Sequence, residues 1–185
     1  IGAGTLAVSG SLADSSTVDV KTGIYRLLSG DTIGELKGEG SVDLNGNELV
    51  INQSESSESI FSGVISGAQV GSGLRKVGKG KVTLEGNNTF SGAIFADQGV
   101  LSISGVSNNV SNIDVDAGAV LELDTSGGDL AYAGVISGAG DLRKISVNQL
   151  ELSGTNTYTG STLIDAGTLL VTGSGCLLYT SPSPR

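Results

Sequence analysis

The feature that most constrains this chain is its internal repetition. Phe61-Ser62-Gly63-Val64-Ile65-Ser66-Gly67 returns 71 residues later as Tyr132-Ala133-Gly134-Val135-Ile136-Ser137-Gly138. From Leu74-Arg75-Lys76 onward the shift settles at 68, onto Leu142-Arg143-Lys144. The same shift carries Leu84 to Gly92 onto Leu152 to Gly160, and Asp97 to Gly105 onto Asp165 to Gly173. A third copy of the last piece opens the chain as Gly4-Thr5-Leu6-Ala7-Val8-Ser9-Gly10, 95 residues before Gly99. That shift also carries Asp19-Val20 onto Asp114-Val115. A long unit therefore falls at about 59–105, a shorter one at 130–173, and a partial one at 1–10. Additional sequence fills Asp31 to Ser57.

Within each unit the period is two. Leu6/Val8, Val18/Val20, Val42/Leu44, Val82/Leu84, Leu101/Ile103, Leu121/Leu123, Leu150/Leu152 and Leu169/Val171 alternate with small or polar residues. Such alternation predicts short strands with one buried face. Gly and Asn punctuate the runs and supply turns. Two architectures accommodate many short strands, a sandwich and a solenoid. A sandwich strand has its own unique neighbours, so distant segments need not share a pattern. In a parallel β-helix each coil stacks on a similar coil, and aliphatic positions recur as ladders. Aromatic residues make up only 4% of the chain, which suits a narrow coil interior better than a sandwich core. The expected fold is all-β, a parallel β-helix over 1–175, with about eight coils of roughly 20–25 residues stacked about 4.8 Å apart.

Composition excludes several kinds of chemistry. His is absent, so the usual general base is missing. One Cys can build neither an internal disulfide nor a thiolate zinc cage. A net charge of −9 argues against nucleic acid as a partner. No apolar run is long enough for a membrane span. The chain contains no Met and starts at Ile1, so it is expected to be a fragment with open ends.

The longest matches carry a resemblance. Leu152-Ser153-Gly154-Thr155-Asn156-Thr157-Tyr158-Thr159-Gly160, followed by Asp165-Ala166-Gly167-Thr168-Leu169-Leu170-Val171, closely resembles the autotransporter-associated β-strand repeat of bacterial autotransporter passengers, exported by the type V route. Leu84 to Ile103 is a more diverged copy, with Phe90 for Tyr and Gln98-Gly99-Val100 for Ala-Gly-Thr. Gly2 to Gly10 looks like the end of another, and Phe61–Gly67 and Tyr132–Gly138 resemble the lead-in between repeats. The resemblance implies a right-handed β-helical stalk or adhesive segment outside an outer membrane. It implies no catalysis and no cofactor. The partners it points to are host-surface or matrix glycans or proteins, with a C-terminal β-barrel translocator in the full-length protein. Residues 176–185 carry the sole Cys, Cys176, and both Pro residues, and depart from the repeat. They read as a non-native adapter or a natural linker, and disorder is expected there.

No catalytic, cofactor or metal residue is assigned, although several residues are of types that could serve a site. Asp114 and Asp116, two apart on one strand face, could serve acid/base work on polysaccharide or hold Ca²⁺. The corresponding first-copy positions are Asp19 and Lys21, so a solvated face is the favoured reading. Arg75, Lys76, Lys79 and Lys81 form a basic run that could meet an acidic glycan, yet read better as a solvated rim. Lys79 and Lys81 become Val147 and Gln149 in the second copy. Asn88 and Asn156 fit coil corners in the left-handed conformation, bonded to their own backbone. Phe90 and Tyr158 fit packing near a corner better than sugar binding. Gly140-Asp141-Leu142 lacks the period of a Ca²⁺-binding repeat. Asn52, Asn87 and Asn109 head Asn-x-Ser/Thr triplets that chance supplies freely here. The alternatives to the stalk are a carbohydrate-active β-helix lyase or glycosidase, and a self-assembling surface-layer or matrix protein.

Overall fold

The computed structural model describes residues 1–104 and 112–174. Among them every strand pairing is parallel, and no helix is present. The chain winds as a three-sided β-solenoid of about eight coils. Coil one holds β1 (Thr5–Val8) and β2 (Thr17–Val20). Coil two holds β3 (Ile24–Leu27), β4 (Asp31–Ile33) and β5 (Glu35–Gly38). Coil three holds β6 (Ser41–Asp43), β7 (Glu48–Asn52) and β8 (Glu58–Phe61). Coil four holds β9 (Val64–Ser66), β10 (Gly73–Val77) and β11 (Lys81–Leu84). Coil five adds β12 (Ile94–Ala96) and β13 (Gly99–Ile103), and coil six β14 (Ile113–Val115) and β15 (Ala119–Asp124). Coil seven holds β16 (Leu130–Tyr132), β17 (Ile136–Gly138) and β18 (Asp141–Ile145). Coil eight holds β19 (Gln149–Leu152) and β20 (Thr162–Ile164), and β21 (Thr168–Val171) starts another.

One side of the solenoid is an eight-stranded sheet, β2-β5-β8-β11-β13-β15-β18-β20. A second side is the six-stranded sheet β4-β7-β10-β12-β14-β17. The third side carries β1-β3-β6-β9 first and β16-β19-β21 later. The stretches 88–91 and 156–159 continue their sides without strand pairing. Thr89 N donates to Ile65 O (2.8 Å), and Thr157 N to Ile136 O (2.8 Å).

The aliphatic alternation becomes ladders. Val82, Leu101, Leu121 and Leu142 stand in one register column, each at most 1% exposed. Leu49, Leu74, Ile94, Ile113 and Ile136 form another inside the six-stranded sheet. Each buried Leu or Ile contributes roughly 1.5–3 kcal/mol, and similar neighbours above and below leave little void. The terminal coils depart from this. Leu6 points inward opposite Tyr25 yet is 41% exposed, and Leu169 is only partly buried, because no further described coil covers them.

Glycine is required where coils approach most closely. A Cβ on Gly40, Gly63 or Gly86 would overlap the carbonyl oxygen of Gly23, Gly40 or Gly63 respectively, one coil back. Gly154 stands in the same relation to Gly134, so the column recurs in the second unit.

The two units do not occupy the same sides. β10 lies in the six-stranded sheet, but its counterpart β18 lies in the eight-stranded one. β12 and β20 differ in the same way. The unit from β8 to β13 spans two coils plus one further side, and β15 lies one coil on from β13. The second copy therefore starts one side round from the first.

Candidate functional site: repeated inter-coil clamps

In β10, Leu74 and Lys76 share the inward face, while Arg75 points out. The second copy repeats this with Leu142, Arg143 and Lys144 in β18. Lys76 and Lys144 are each 0% exposed, which corrects the reading of Lys76 as part of a solvated rim. Period-two alternation from Leu74 is the signal that reveals this, since it places residue 76 inside. A buried ammonium must find acceptors. Lys76 Nζ donates to the carbonyls of Gly78 (2.6 Å), Gln98 (2.9 Å) and Val77 (3.4 Å). Lys144 Nζ donates to Ser146 O (2.6 Å), Ala166 O (3.0 Å) and Ile145 O (3.2 Å), and to Thr125 Oγ1 (3.0 Å). The backbone acceptors correspond one to one through the 68-residue shift. Each lysine thus ties its own corner to the next coil. Burial pulls the Lys76 ammonium down to about 8, so it stays protonated at neutral pH. Burial also lowers Lys144, opposed by the Asp124 charge.

The acceptor corner itself needs a left-handed residue. Gly78 takes φ +77° there, and Ser146 takes φ +71° in the second copy. The non-glycine residue is held by its hydroxyl, which donates to Asp124 Oδ1 (2.6 Å).

A second clamp lies outside. Arg75 Nη1 bonds Asp97 at 3.0 and 2.8 Å, and Arg143 Nε bonds Asp165 at 2.7 Å, again one coil on. These carboxylates hold both guanidinium groups more firmly protonated than usual. The Arg75 guanidinium also stacks on the Phe95 ring, 4.3 Å from its centroid. On the eight-stranded sheet, Glu122 bridges Lys81 (2.5 Å) and Arg143 (3.1 Å). With Asp165 this forms a charge network from coil four to coil eight. Lys79 is the member of the run that stays solvated, pairing loosely with Glu55 at 3.4 Å.

The asparagines act between coils. Asn88 Oδ1 accepts from Ile65 N, and Asn156 Oδ1 from Ile136 N, both at 2.9 Å. Asn156 also bonds its own backbone at Gly154 O (3.3 Å). Neither is left-handed: among non-glycine described residues only Asn45 and Ser146 are. The expected conformation is corrected, because a side chain reaching the previous coil needs no αL turn. Phe90 and Tyr158 are buried at 2% and 3%, and Tyr158 hydroxyl bonds Thr162 Oγ1 (2.6 Å).

The remaining candidates are dispersed. Asp114 stands between Phe95 and Ser137 in the six-stranded sheet and accepts from Ser137 Oγ (2.6 Å). Asp116 follows the end of β14, in the turn closed by Ala119 N to Asp116 O (2.9 Å), so the two carboxylates do not share a strand. Asp141 accepts from Ser161 N (2.7 Å). Asn52 and Asn87 are exposed; Asn109 and the tail 176–185 lie outside the described residues. Among the described residues no group of three or more His, Cys, Asp or Glu could hold a metal ion. The polar pair of Tyr25 and Asp31 was not visible in the sequence. Asp31 is 3% exposed and receives the Tyr25 hydroxyl and Leu12 N (2.9 Å).

A parallel, three-sided solenoid whose repeats are joined by inter-coil side-chain clamps defines an extended β-helical repeat protein. The sequence family described as Passenger-associated-transport-repeat matches residues 74–103 and 142–171, which carry these clamps. The Adhesin BmaC autotransporter of Brucella suis biovar 1 (strain 1330) is 31% identical over 176 residues, covering 78% of this chain and 5% of the relative. The Neisserial autotransporter lipoprotein NalP of Neisseria meningitidis serogroup B (strain ATCC BAA-335 / MC58) is 48% identical over 54 residues, 28% of this chain and 5% of that protein. The chain thus spans 5% of the length of these curated relatives. No solved structure matches it significantly. Residues 74–103 and 142–171 thus carry the passenger-associated-transport repeat, and the chain is similar to autotransporter passengers.

Proposed function

We propose that this chain is a structural and adhesive stalk segment of an autotransporter passenger, displayed at or released from the bacterial cell surface, with no catalysis of its own. One observation carries the reading: the charged and amide side chains of the repeat are used to join coil to coil. Lys76, Lys144, Asn88 and Asn156 are buried and bonded to neighbouring backbone. Such an assembly extends by adding coils and holds other regions away from a surface. The partners of this reading are a C-terminal β-barrel translocator in the full-length protein and a host-surface or matrix glycan or protein.

Display and adhesion are tested separately. The chain is fused between an epitope tag and an outer-membrane translocator barrel, and the tag is detected on intact cells. Absence of surface tag at normal expression refutes display. Surface tag without adhesion to matrix-coated or host-cell layers, compared with barrel-only cells, refutes the adhesive part and leaves the stalk. Polysaccharide turnover lost in the Asp114→Asn/Asp116→Asn double variant would instead establish an enzyme.

A further inference from the structure

At the edge between the six-stranded and eight-stranded sheets, neighbouring coils turn with corners of unequal length. Coil two makes this turn with Gly34 alone, between β4 and β5. Coil three uses the longer stretch 53–57, between β7 and β8. Gly34 N and Glu35 N both donate to Ser16 O, at 2.9 and 3.2 Å, which draws coil two against coil one. A Cβ on Gly34 would press into the Ser15 backbone. On the opposite flank, β5 and β8 share a single register pair, Gly38 with Phe61. The ladders β2–β5 and β8–β11 have four pairs each. The sheet gapes where Glu35 faces coil three, and a notch of about 410 Å³ opens there.

Apart from Gly34, every residue that lines this notch has a polar side chain. These residues include the hydroxyl-bearing Thr17, Ser54 and Ser57, the amide-bearing Asn52 and the carboxylates Asp14 and Glu35. Glu35 Oε2 is fixed by Thr17 Oγ1 (2.9 Å) and Lys37 Nζ (2.8 Å), and Ser57 Oγ by Gln53 Nε2 (2.7 Å). Two carboxylates disfavour an anion. A divalent cation would compete with Lys37 for Glu35, and no three-ligand metal group exists among the described residues. No large apolar side chain lines the notch, which removes the basis for holding an apolar peptide residue or a lipid chain. Its volume lies within the roughly 300–1,000 Å³ of small-ligand sites. Hydroxyl, amide and carboxylate groups, of which those of Thr17, Glu35 and Ser57 are held in place, offer the mixture of donors and acceptors that a polyol matches.

We propose that this notch binds a neutral sugar residue of a surface or matrix glycan. The inference deepens the adhesive reading and rests on it only for the biological role.

The test is an amide ¹H–¹⁵N titration of the whole chain with maltose, cellobiose and lactose, with and without EDTA, and with Ca²⁺ alone. The expected result is saturable shifts confined to the amides of 14–17, 34–35 and 52–57, unchanged by EDTA. Thr17→Val and Asn52→Ala, both at exposed positions, should each weaken binding about tenfold. Asp114→Asn, on the six-stranded sheet, should leave it unchanged. The proposal is overturned if none of the three sugars shifts these amides, if the shifts fall elsewhere, if Ca²⁺ alone reproduces them, or if both folded notch variants bind normally. Displayed cells that adhere while the titration is negative overturn the notch and leave adhesion standing. Sugar binding in cells that do not adhere overturns adhesion and leaves the notch standing.

Discussion

Replacing Lys76 by Met isolates the inner clamp. Met retains an unbranched, buried stem and deletes the ammonium. The Val77 carbonyl also accepts Gln53 N (3.1 Å), so it keeps a partner. The effect falls on Gly78 O and Gln98 O, which lose bonds of 2.6 and 2.9 Å. Hydrogen bonds to a charged group contribute roughly 1.5–3 kcal/mol each. Part of that is offset because a buried ammonium no longer has to be desolvated, the same cost that lowers its pKa to about 8. The net loss should be about 2–3 kcal/mol. Urea denaturation followed by far-UV circular dichroism measures it as a fall in midpoint. Lys79→Met is the control: Lys79 and Glu55 are 65% and 72% exposed, so the change should be under about 0.5 kcal/mol. Lys144→Met should behave like Lys76→Met. The two corners are three coils apart, roughly 14 Å along the axis, so the double variant should be additive. Equal midpoints for Lys76→Met and Lys79→Met would refute the clamp and restore the solvated-rim reading.

Asn156→Ala should cost about 2 kcal/mol by leaving the buried Ile136 N–H without its 2.9 Å acceptor, read as a lowered urea midpoint; an unchanged midpoint rejects the inter-coil role. Gly63→Ala should cost about 3 kcal/mol, the upper end of overpacking, because the new methyl meets Gly40 O and the Phe61 ring; thermal melts report it, and a neutral result would mean the glycine column is not needed. Burial raises the phenols of Tyr25, Tyr132 and Tyr158 above their ordinary value. The unfolded chain then ionises first, so this stability is complete below about pH 10 and is lost as pH rises beyond it. Urea midpoints should fall as pH rises above about 10, less steeply in Tyr25→Phe, and a flat profile contradicts the assignment.

Much of the architecture was legible in particular residues. Leu101 and Ile103, with Val82 and Leu84, alternate in the sequence and stack in register in the solenoid. The site was less legible. Arg75 and Lys76 look alike as a charged pair, yet one pairs with Asp97 outside and the other bonds carbonyls inside. Parity of position decides between them, and composition hides it. Asn88 and Asn156 were recognisable as corner residues, but their partners, Ile65 N and Ile136 N, lie a coil away. The Tyr25–Asp31 pair and the notch beside Gly34 depend on how separate coils settle against one another.

The sequence by itself determined that strands are short, that one face of each is apolar, and that similar coils must stack. These follow from period and repetition, which are local or pairwise properties of the chain. Only the tertiary structure decided which side each copy occupies. A unit of two coils and one further side cannot return onto itself, so Arg75 and Arg143 stand on different sheets. It also decided where the eight-stranded sheet opens, because a ladder of one pair beside ladders of four depends on corner lengths in three successive coils.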